Sequence, residues 1–302
     1  MNIQGENKSR NIVLGLTPLW LVIGIFMIGP LLIMAGVSVM EPNVYGGVYF
    51  KFDLSGYRQI LFDTNLFDEM EFNPAYVIII LRSFVLAVSA TIISLIIGFP
   101  AAYFISRQPD NIKNILIFLV TIPFWTNLLV RTFAWIIILG KGGVIESSFS
   151  FFGLLNEDES LNLMYTNFAI LIGLVYSYLP LMVLPIFSSL EKLDVRLLEA
   201  ASDLYSSRME IIRRVIIPLT LPGIIGGSIL VFVPCLGAFI APDLLGGGKK
   251  LLLGSLIQFQ FSTARNWPFG AAVAMFLLSL VVIVLVINAR INSKHEDLQK
   301  HV

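Results

Sequence analysis

The residues whose types and spacing carry the clearest chemistry lie between Leu197 and Pro218, in LLEAASDLYSSRMEIIRRVIIP, the longest densely charged stretch flanked by apolar ones. Asp194 can cap a short helix in which Leu197, Leu198, Ala201 and Leu204 fall at i, i+1, i+4 and i+7, one face, leaving Glu199, Ser202 and Asp203 off it. After a break at Tyr205-Ser206, the run Ser207-Arg208-Met209-Glu210 has the S-x-x-E spacing of a capping box, in which each side chain bonds the other residue's backbone N–H. The spacing predicts helix, tight turn, helix. This is recognition chemistry: Glu199, in the early turns of its helix, is favoured by the helix dipole and can accept from arginine or backbone N–H groups of a partner.

No reaction centre accompanies it. The two histidines stand at the C-terminal end, Cys235 is the single cysteine, and no paired carboxylates or nucleophile constellation interrupt the apolar segments. Gly246-Gly247-Gly248-Lys249-Lys250 has the look of a phosphate loop but lacks the first glycine at the right distance and has Lys250 where a magnesium-binding Ser or Thr belongs. It reads as an outward turn with solvated lysines. The chain is therefore expected to be a non-enzyme that binds no cofactor or metal of its own.

The elements that position the central segment are membrane spans. With 302 residues, 57% hydrophobic and only 13% charged, and a mean hydropathy of +0.85, the chain has more apolar surface than a soluble core of this size needs. It reads as an all-α integral membrane protein, a single domain over 1–302 with six transmembrane helices at about 13–40, 83–105, 114–139, 168–189, 215–236 and 268–288. Pro18 and Pro30 are expected to bend or break the first, Arg82 to mark the start of the second near Ser83, and Pro123 to break the third. The segment 190–214 is the central charged loop, and 41–73 and 140–167 are polar, acidic connectors.

Six spans put both termini on one side. That side collects Lys8, Arg10, Arg107, Lys113, Lys192, Arg196, Arg208, Arg213, Arg214, Arg290, Lys294 and Lys300, twelve of the 20 basic residues, so the N-terminus, the C-terminus and 190–214 are expected in the cytoplasm. Equal counts of 20 basic and 20 acidic residues give no charge imbalance that points to nucleic acid.

The order Glu199-Ala200-Ala201, then a turn position, then Val215-Ile216-Ile217-Pro218 resembles the EAA loop of ABC-importer permeases, with Tyr205 where a glycine is usual. Glycine closes a helix in the left-handed conformation at no steric cost, and a bulky residue there costs about 1 kcal/mol or more. Either the first helix ends differently or Tyr205 fills part of a partner's groove. Ile122-Pro123-Phe124-Trp125-Thr126-Asn127-Leu128-Leu129-Val130-Arg131, Val233-Pro234-Cys235-Leu236-Gly237-Ala238-Phe239 and Asn266-Trp267-Pro268-Phe269-Gly270-Ala271-Ala272 resemble spermidine/putrescine permeases of the PotB type, a likeness running from about Ile78 to Arg290.

The resemblance implies a type I importer (MetI-like) fold in the bacterial cytoplasmic (inner) membrane, with a cytoplasmic coupling helix formed by Leu197, Glu199, Ala200, Ala201, Asp203, Leu204 and Tyr205. It also implies ABC ATPase subunits carrying ATP and magnesium, a second homologous permease subunit, an extracytoplasmic substrate-binding protein, and a polyamine substrate. For a di- or tri-cationic amine, carboxylates and aromatic faces are the natural contacts, each aromatic worth ~0.5–2 kcal/mol. Trp125, Tyr176, Tyr178 and Asp243 are the candidates, with Thr126 and Asn127 beside Pro123 as neutral ligands. Arg82 and Arg131 would repel such a substrate and are read as structural. The alternatives are the same importer class carrying ferric iron, sulfate or a phosphonate, and, from a different class, a membrane enzyme or channel.

Overall fold

The computed structural model describes residues 17, 19–43, 45–64, 70–154, 160–203 and 207–299. Pro18, Leu204, Tyr205 and Ser206, the acidic Asp68, Glu69, Glu157, Asp158 and Glu159, and the basic Lys8, Arg10 and Lys300 lie outside the described residues. Six segments are long and apolar enough to cross a membrane: Leu19–Val37, Pro74–Ser106, Leu128–Phe151, Asn167–Glu191, Met209–Gly237 and Trp267–Arg290. The third lies further along the chain than the expected 114–139, and it is two helices, Leu128–Leu139 and Val144–Phe151, joined by a glycine-rich turn. The chain is a multi-pass, all-α membrane protein. It divides into two compact units, one of residues 1–73 with 257–278, the other of residues 74–256 with 279–302.

In the first unit, helix α1 (Leu19–Val37) buries none of its apolar window. Strands β1 (Met40–Pro42) and β2 (Val48–Phe52) pair antiparallel, as do β3 (Phe62–Thr64) and β4 (Met70–Phe72), with the short helix α2 (Ser55–Arg58) between the two ribbons. Ser38 Oγ and Tyr57 OH, 2.9 Å apart, tie the end of α1 to α2. Asn266 caps the last long helix by accepting from Phe269 N–H (3.2 Å) and donates to Gln59 Oε1 (3.3 Å). A side chain at Gly56 would sit 3.1 Å from the Pro268 carbonyl, so α2 rests on that helix start through a glycine.

The second unit is built on α3 (Pro74–Ser106), α7 (Asn167–Glu191) and α10 (Ile217–Gly237), which pack against one another. Helices in lipid gain little from apolar burial alone, so close approach through small residues holds them. Along α3 the buried Ala87, Ala90, Ser94, Gly98 and Ala102 form one stripe, and Gly98 faces Met182 and Val183 of α7. From α10, Gly223 meets Ser189 Oγ and the Pro185 carbonyl, and Gly227 meets the Met182 carbonyl. The remaining helices are α4 (Asp110–Trp125), α5 (Leu128–Leu139), α6 (Val144–Phe151), α8 (Val195–Asp203), α9 (Arg208–Ile211), α11 (Ile240–Gly246), α12 (Leu253–Ser262) and α13 (Trp267–Gln299). α12 straddles the two units, and its start is fixed in the second by Leu253 N–H donating to the buried Ser83 Oγ at 2.8 Å.

Two expectations about breaks are corrected. Pro30 does not interrupt α1: the helix widens to a π turn at Gly24–Ile28, where Gly29 N–H reaches Gly24 O. The same device stands before Pro218, where Ile217 N–H reaches Ile212 O across the π turn Ile212–Ile216. A proline lacks the N–H and crowds the carbonyl four residues back, and a wider turn relieves both. Pro123 lies inside α4, and the break comes at Thr126-Asn127, where the Asn127 side chain accepts from Leu129 N–H (2.8 Å) and starts a new helix. The helix that carries the second span, α3, starts at Pro74, eight residues before Arg82, and its 33 residues exceed the roughly 20 that a span needs; Arg82 is half-buried within it, an arrangement open to a long side chain that can lead its charge outward.

Candidate functional site

The central segment folds as helix, short connection, helix. Asp194 Oδ1 accepts from Arg196 N–H (2.9 Å) and its carbonyl from Leu197 N–H (3.1 Å), starting α8. The capping box is fully made: Ser207 N–H and Oγ–H both donate to Glu210 Oε2 (3.1 Å each), and Glu210 N–H donates to Ser207 Oγ (3.2 Å). Removing the serine hydroxyl costs a cap of this kind about 1 kcal/mol. Ser207→Ala is thus expected to raise amide exchange over 208–211 about fivefold, measured by hydrogen–deuterium exchange; unchanged exchange would mean that packing alone holds α9.

The apolar face of α8 is divided. Leu198 and Ala201 are half-buried, and Leu198 lines a cleft of 210 Å³ with Tyr103, Arg107, Lys113, Leu190 and Ile216. Leu197, expected to be buried with them, is 49% exposed, and Glu199, Ala200 and Asp203 are exposed with it. Leu197 and Leu198 are one step apart, about 100° around the helix, so a narrow contact buries only one of them. The outward side therefore offers one leucine, one alanine and two carboxylates.

A link that the local pattern does not contain secures the base of α8. Lys113 Nζ, at the start of α4, reaches Asp110 Oδ1 (3.0 Å) and Glu191 Oε1 (3.5 Å), the last residue of α7. Arg107 donates to Tyr103 OH (3.1 Å) and stacks over its ring at 5.2 Å. Alternating charges in 106–113 and at 191 are the only trace of this in the sequence, and their pairing across 78 positions depends on the packing of α4 against α7.

The residues proposed for a solute path are dispersed. Trp125, the last residue of α4, is 83% exposed. Thr126 donates to the Pro123 carbonyl (2.8 Å), which spends its donor and leaves its oxygen free to accept, whereas Asn127 Oδ1 already accepts as the α5 cap and retains only part of its accepting capacity. Tyr176 and Tyr178, two residues apart on α7, face different ways: Tyr176 packs edge-on to Trp135 (5.5 Å between centroids), whereas Tyr178 lines a 120 Å³ cavity. Ser177, Leu128 and the chain at Pro234, Gly237 and Ala238, where α10 stops, line the same cavity. Leu128, the first residue of α5, and the helix break at Ala238-Phe239 thus border the same cavity as Tyr178. Asp243 lies in the first turn of α11, half-buried, and forms no ion pair among the described residues. Arg131 Nε and Nη1 are buried without a hydrogen-bond partner among the described residues. The glycine–lysine run closes α11, with Gly247 and Gly248 both left-handed (φ +63° and +68°), a helix C-cap rather than a strand-to-helix phosphate cradle.

The whole-chain likeness to known proteins agrees with this architecture. A chain of the bacterial alginate ABC transporter, solved with a pentasaccharide-bound periplasmic protein, superposes with a TM-score of 0.70 at 14% identity, covering 95% of this chain and 96% of that one. At that identity the likeness is one of fold, and it accounts for the bundle of α3, α7 and α10 with α8 at one end. The spermidine/putrescine transport system permease protein PotB of Salmonella typhimurium (strain SL1344) is 38% identical over 300 residues, 98% of this chain and 99% of the relative. That of Escherichia coli (strain K12) is 39% identical over 271 residues, 90% and 93% of the two chains. The inner membrane ABC transporter permease protein YdcU of Escherichia coli (strain K12) is 33% identical over 232 residues, 74% of each. Residues 94–295 match the model of the binding-protein-dependent transport system inner membrane component, a stretch that runs from the small-residue stripe of α3 through α8 to α13. With that match and relatives sharing well over a third of its residues along nearly its full length, this chain belongs to the family of binding-protein-dependent transport system inner membrane components.

Proposed function

We propose that this chain is a transmembrane permease subunit of an ATP-driven importer and forms part of the pathway for uptake of a polyamine, spermidine or putrescine. The observation that carries this reading is the 38–39% identity to PotB permeases over 90% or more of the chain. ATP and its magnesium are bound by separate ABC ATPase subunits that hold the outward side of α8, a second homologous permease completes the pathway, and an extracytoplasmic binding protein delivers the polyamine. Both termini and α8 lie in the cytoplasm of an inner membrane, which the basic residues at the α8 end favour.

The pathway chemistry follows from the cavity beside Tyr178. A cation leaving water needs acceptors and negative charge, and unwound helix ends supply carbonyl oxygens. Asp243 then acts near the outer mouth as a charge partner for one ammonium. This reading requires Arg131 to face away from the path, because a fixed guanidinium facing it would repel every polyamine. Asp243→Asn is expected to raise the KM for spermidine uptake about tenfold at unchanged protein level, since a charge-assisted hydrogen bond is worth about 1.5–3 kcal/mol. Uptake kinetics check this, and an unaltered KM would remove Asp243 from the pathway. The reading as a whole is tested by ATP hydrolysis of the assembled complex in nanodiscs: hydrolysis should rise when binding protein loaded with spermidine is added and not when ferric iron, sulfate or a phosphonate is offered with its own binding protein.

A further inference from the structure

The segment after α5 does not behave as a connector. Gly140-Lys141-Gly142-Gly143 turns the chain sharply: Gly142 is left-handed (φ +71°), and Gly143 lies so close to the Ile137 and Ile138 carbonyls (2.5 and 2.7 Å from a Cβ placed there) that only glycine fits. The helix that follows, α6, is amphipathic. At 100° per residue Val144, Ile145, Phe149, Phe151 and the capping Phe152 span one arc, and Glu146, Ser147 and Ser150 occupy the opposite one. Ser148 falls within the apolar arc, but its hydroxyl is spent on the Val144 carbonyl (2.6 Å). The apolar side is bare: Val144 is 61%, Phe151 86% and Phe152 74% exposed. On α5, Val130, Phe133 and Ile137, spaced i, i+3 and i+7, are exposed as well.

One length sets the depth of α6 in the bilayer. Counted from the α8 end, α7 with 25 residues rises roughly 37 Å against a hydrocarbon core of about 30 Å, so its Asn167 end reaches the far boundary. There Glu146 accepts from Gly142 N–H and from Leu161 N–H (3.3 Å), which ties the base of α6 to the loop entering α7 and turns its one carboxylate away from the phenylalanines.

We infer that α6 is an interfacial helix that lies along the outer bilayer boundary, with Val144, Phe151 and Phe152 set among the upper acyl chains and Glu146, Ser147 and Ser150 toward water. The occupant of its apolar face is the lipid surface already required by the six spans. Aromatic side chains at that depth are favoured, and a helix of this kind resists vertical movement of the α5 end to which it is joined.

The test is spin labelling of the assembled transporter in lipid vesicles, in a Cys235→Ala background confirmed to transport. Nitroxides at Phe151→Cys and Phe152→Cys are expected to collide several-fold more with oxygen than with a water-soluble nickel chelate, and those at Ser147→Cys and Ser150→Cys to show the reverse. Equal access to the chelate at all four would place α6 in water, and loss of access to both reagents at 151 and 152 would place them under a companion subunit. A change on adding the binding protein would make α6 a docking surface. Any of these three results overturns the inference. Because the measurement needs no substrate, it stands or falls separately from the polyamine reading.

Discussion

Glu199→Lys is expected to leave the chain inserted in the membrane and to abolish transport. The residue is exposed on the outward side of α8, outside the six apolar segments, so a change of its charge is not expected to disturb insertion. The expected consequence lies in the proposed partner. A carboxylate beside Leu197 and Ala200 on the proposed docking face would accept charge-assisted hydrogen bonds, and reversing its sign would set two cations against each other. Interface residues of this sort cost about 2 kcal/mol or more, at least ~30-fold in affinity. Motion in an ATPase can reach the spans only through an element both subunits hold, and we propose α8, seated by Leu198 and followed by the capping box and the π turn into α10, for that element. Co-purification of the ATPase and uptake, measured on the same preparation, check it. Retained co-purification with retained uptake would remove α8 from coupling.

The second large effect is structural. Gly223→Val is expected to lower the thermal midpoint of the isolated subunit sharply, or to prevent accumulation of folded protein, whereas Gly226→Val, three positions on, is expected to be tolerated. A side chain at Gly223 collides with Ser189 Oγ and comes within 2.5 Å of the Pro185 carbonyl, while one at Gly226 meets nothing within 4 Å. The colliding carbonyl is backbone and cannot rotate away, so α7 and α10 must separate. Overpacking costs typically ~1–3 kcal/mol, and at a helix–helix seam that also holds Gly227 against Met182 the upper end applies. Fluorescence-detected melting of the two variants decides it, and equal midpoints would contradict the packing described here.

These contrasts mark what could be read in the sequence. The spans were legible because runs of twenty apolar residues have no other use in a chain this hydrophobic, and the capping box because both its members lie within four residues. Helix breaks were less so: Pro30, Pro123 and Pro218 each announce a lost hydrogen bond, but the backbone can answer with a π turn, a continuing helix or a new cap, and neighbours three or more residues away choose. The division of Leu197 from Leu198 depends on how narrow the seat of α8 is, and the Ser83–Leu253 and Lys113–Glu191 ties join positions 170 and 78 apart. α6 escaped because its acidic surroundings in 140–167 outweigh a period of apolar residues only two turns long. For the residues proposed for a solute path, mutual placement was not legible, since Tyr176 and Tyr178 share a helix but not a face.

The account rests most directly on uptake itself. The complete transporter, this chain with its companion permease, ATPase and binding protein, is reconstituted in vesicles with ATP enclosed on the α8 side, and radiolabelled spermidine, putrescine, sulfate and ferric iron are offered in turn. Saturable, ATP-dependent accumulation of spermidine or putrescine alone, lost with Glu199→Lys, is the predicted result; accumulation of sulfate or iron with no polyamine uptake would contradict it.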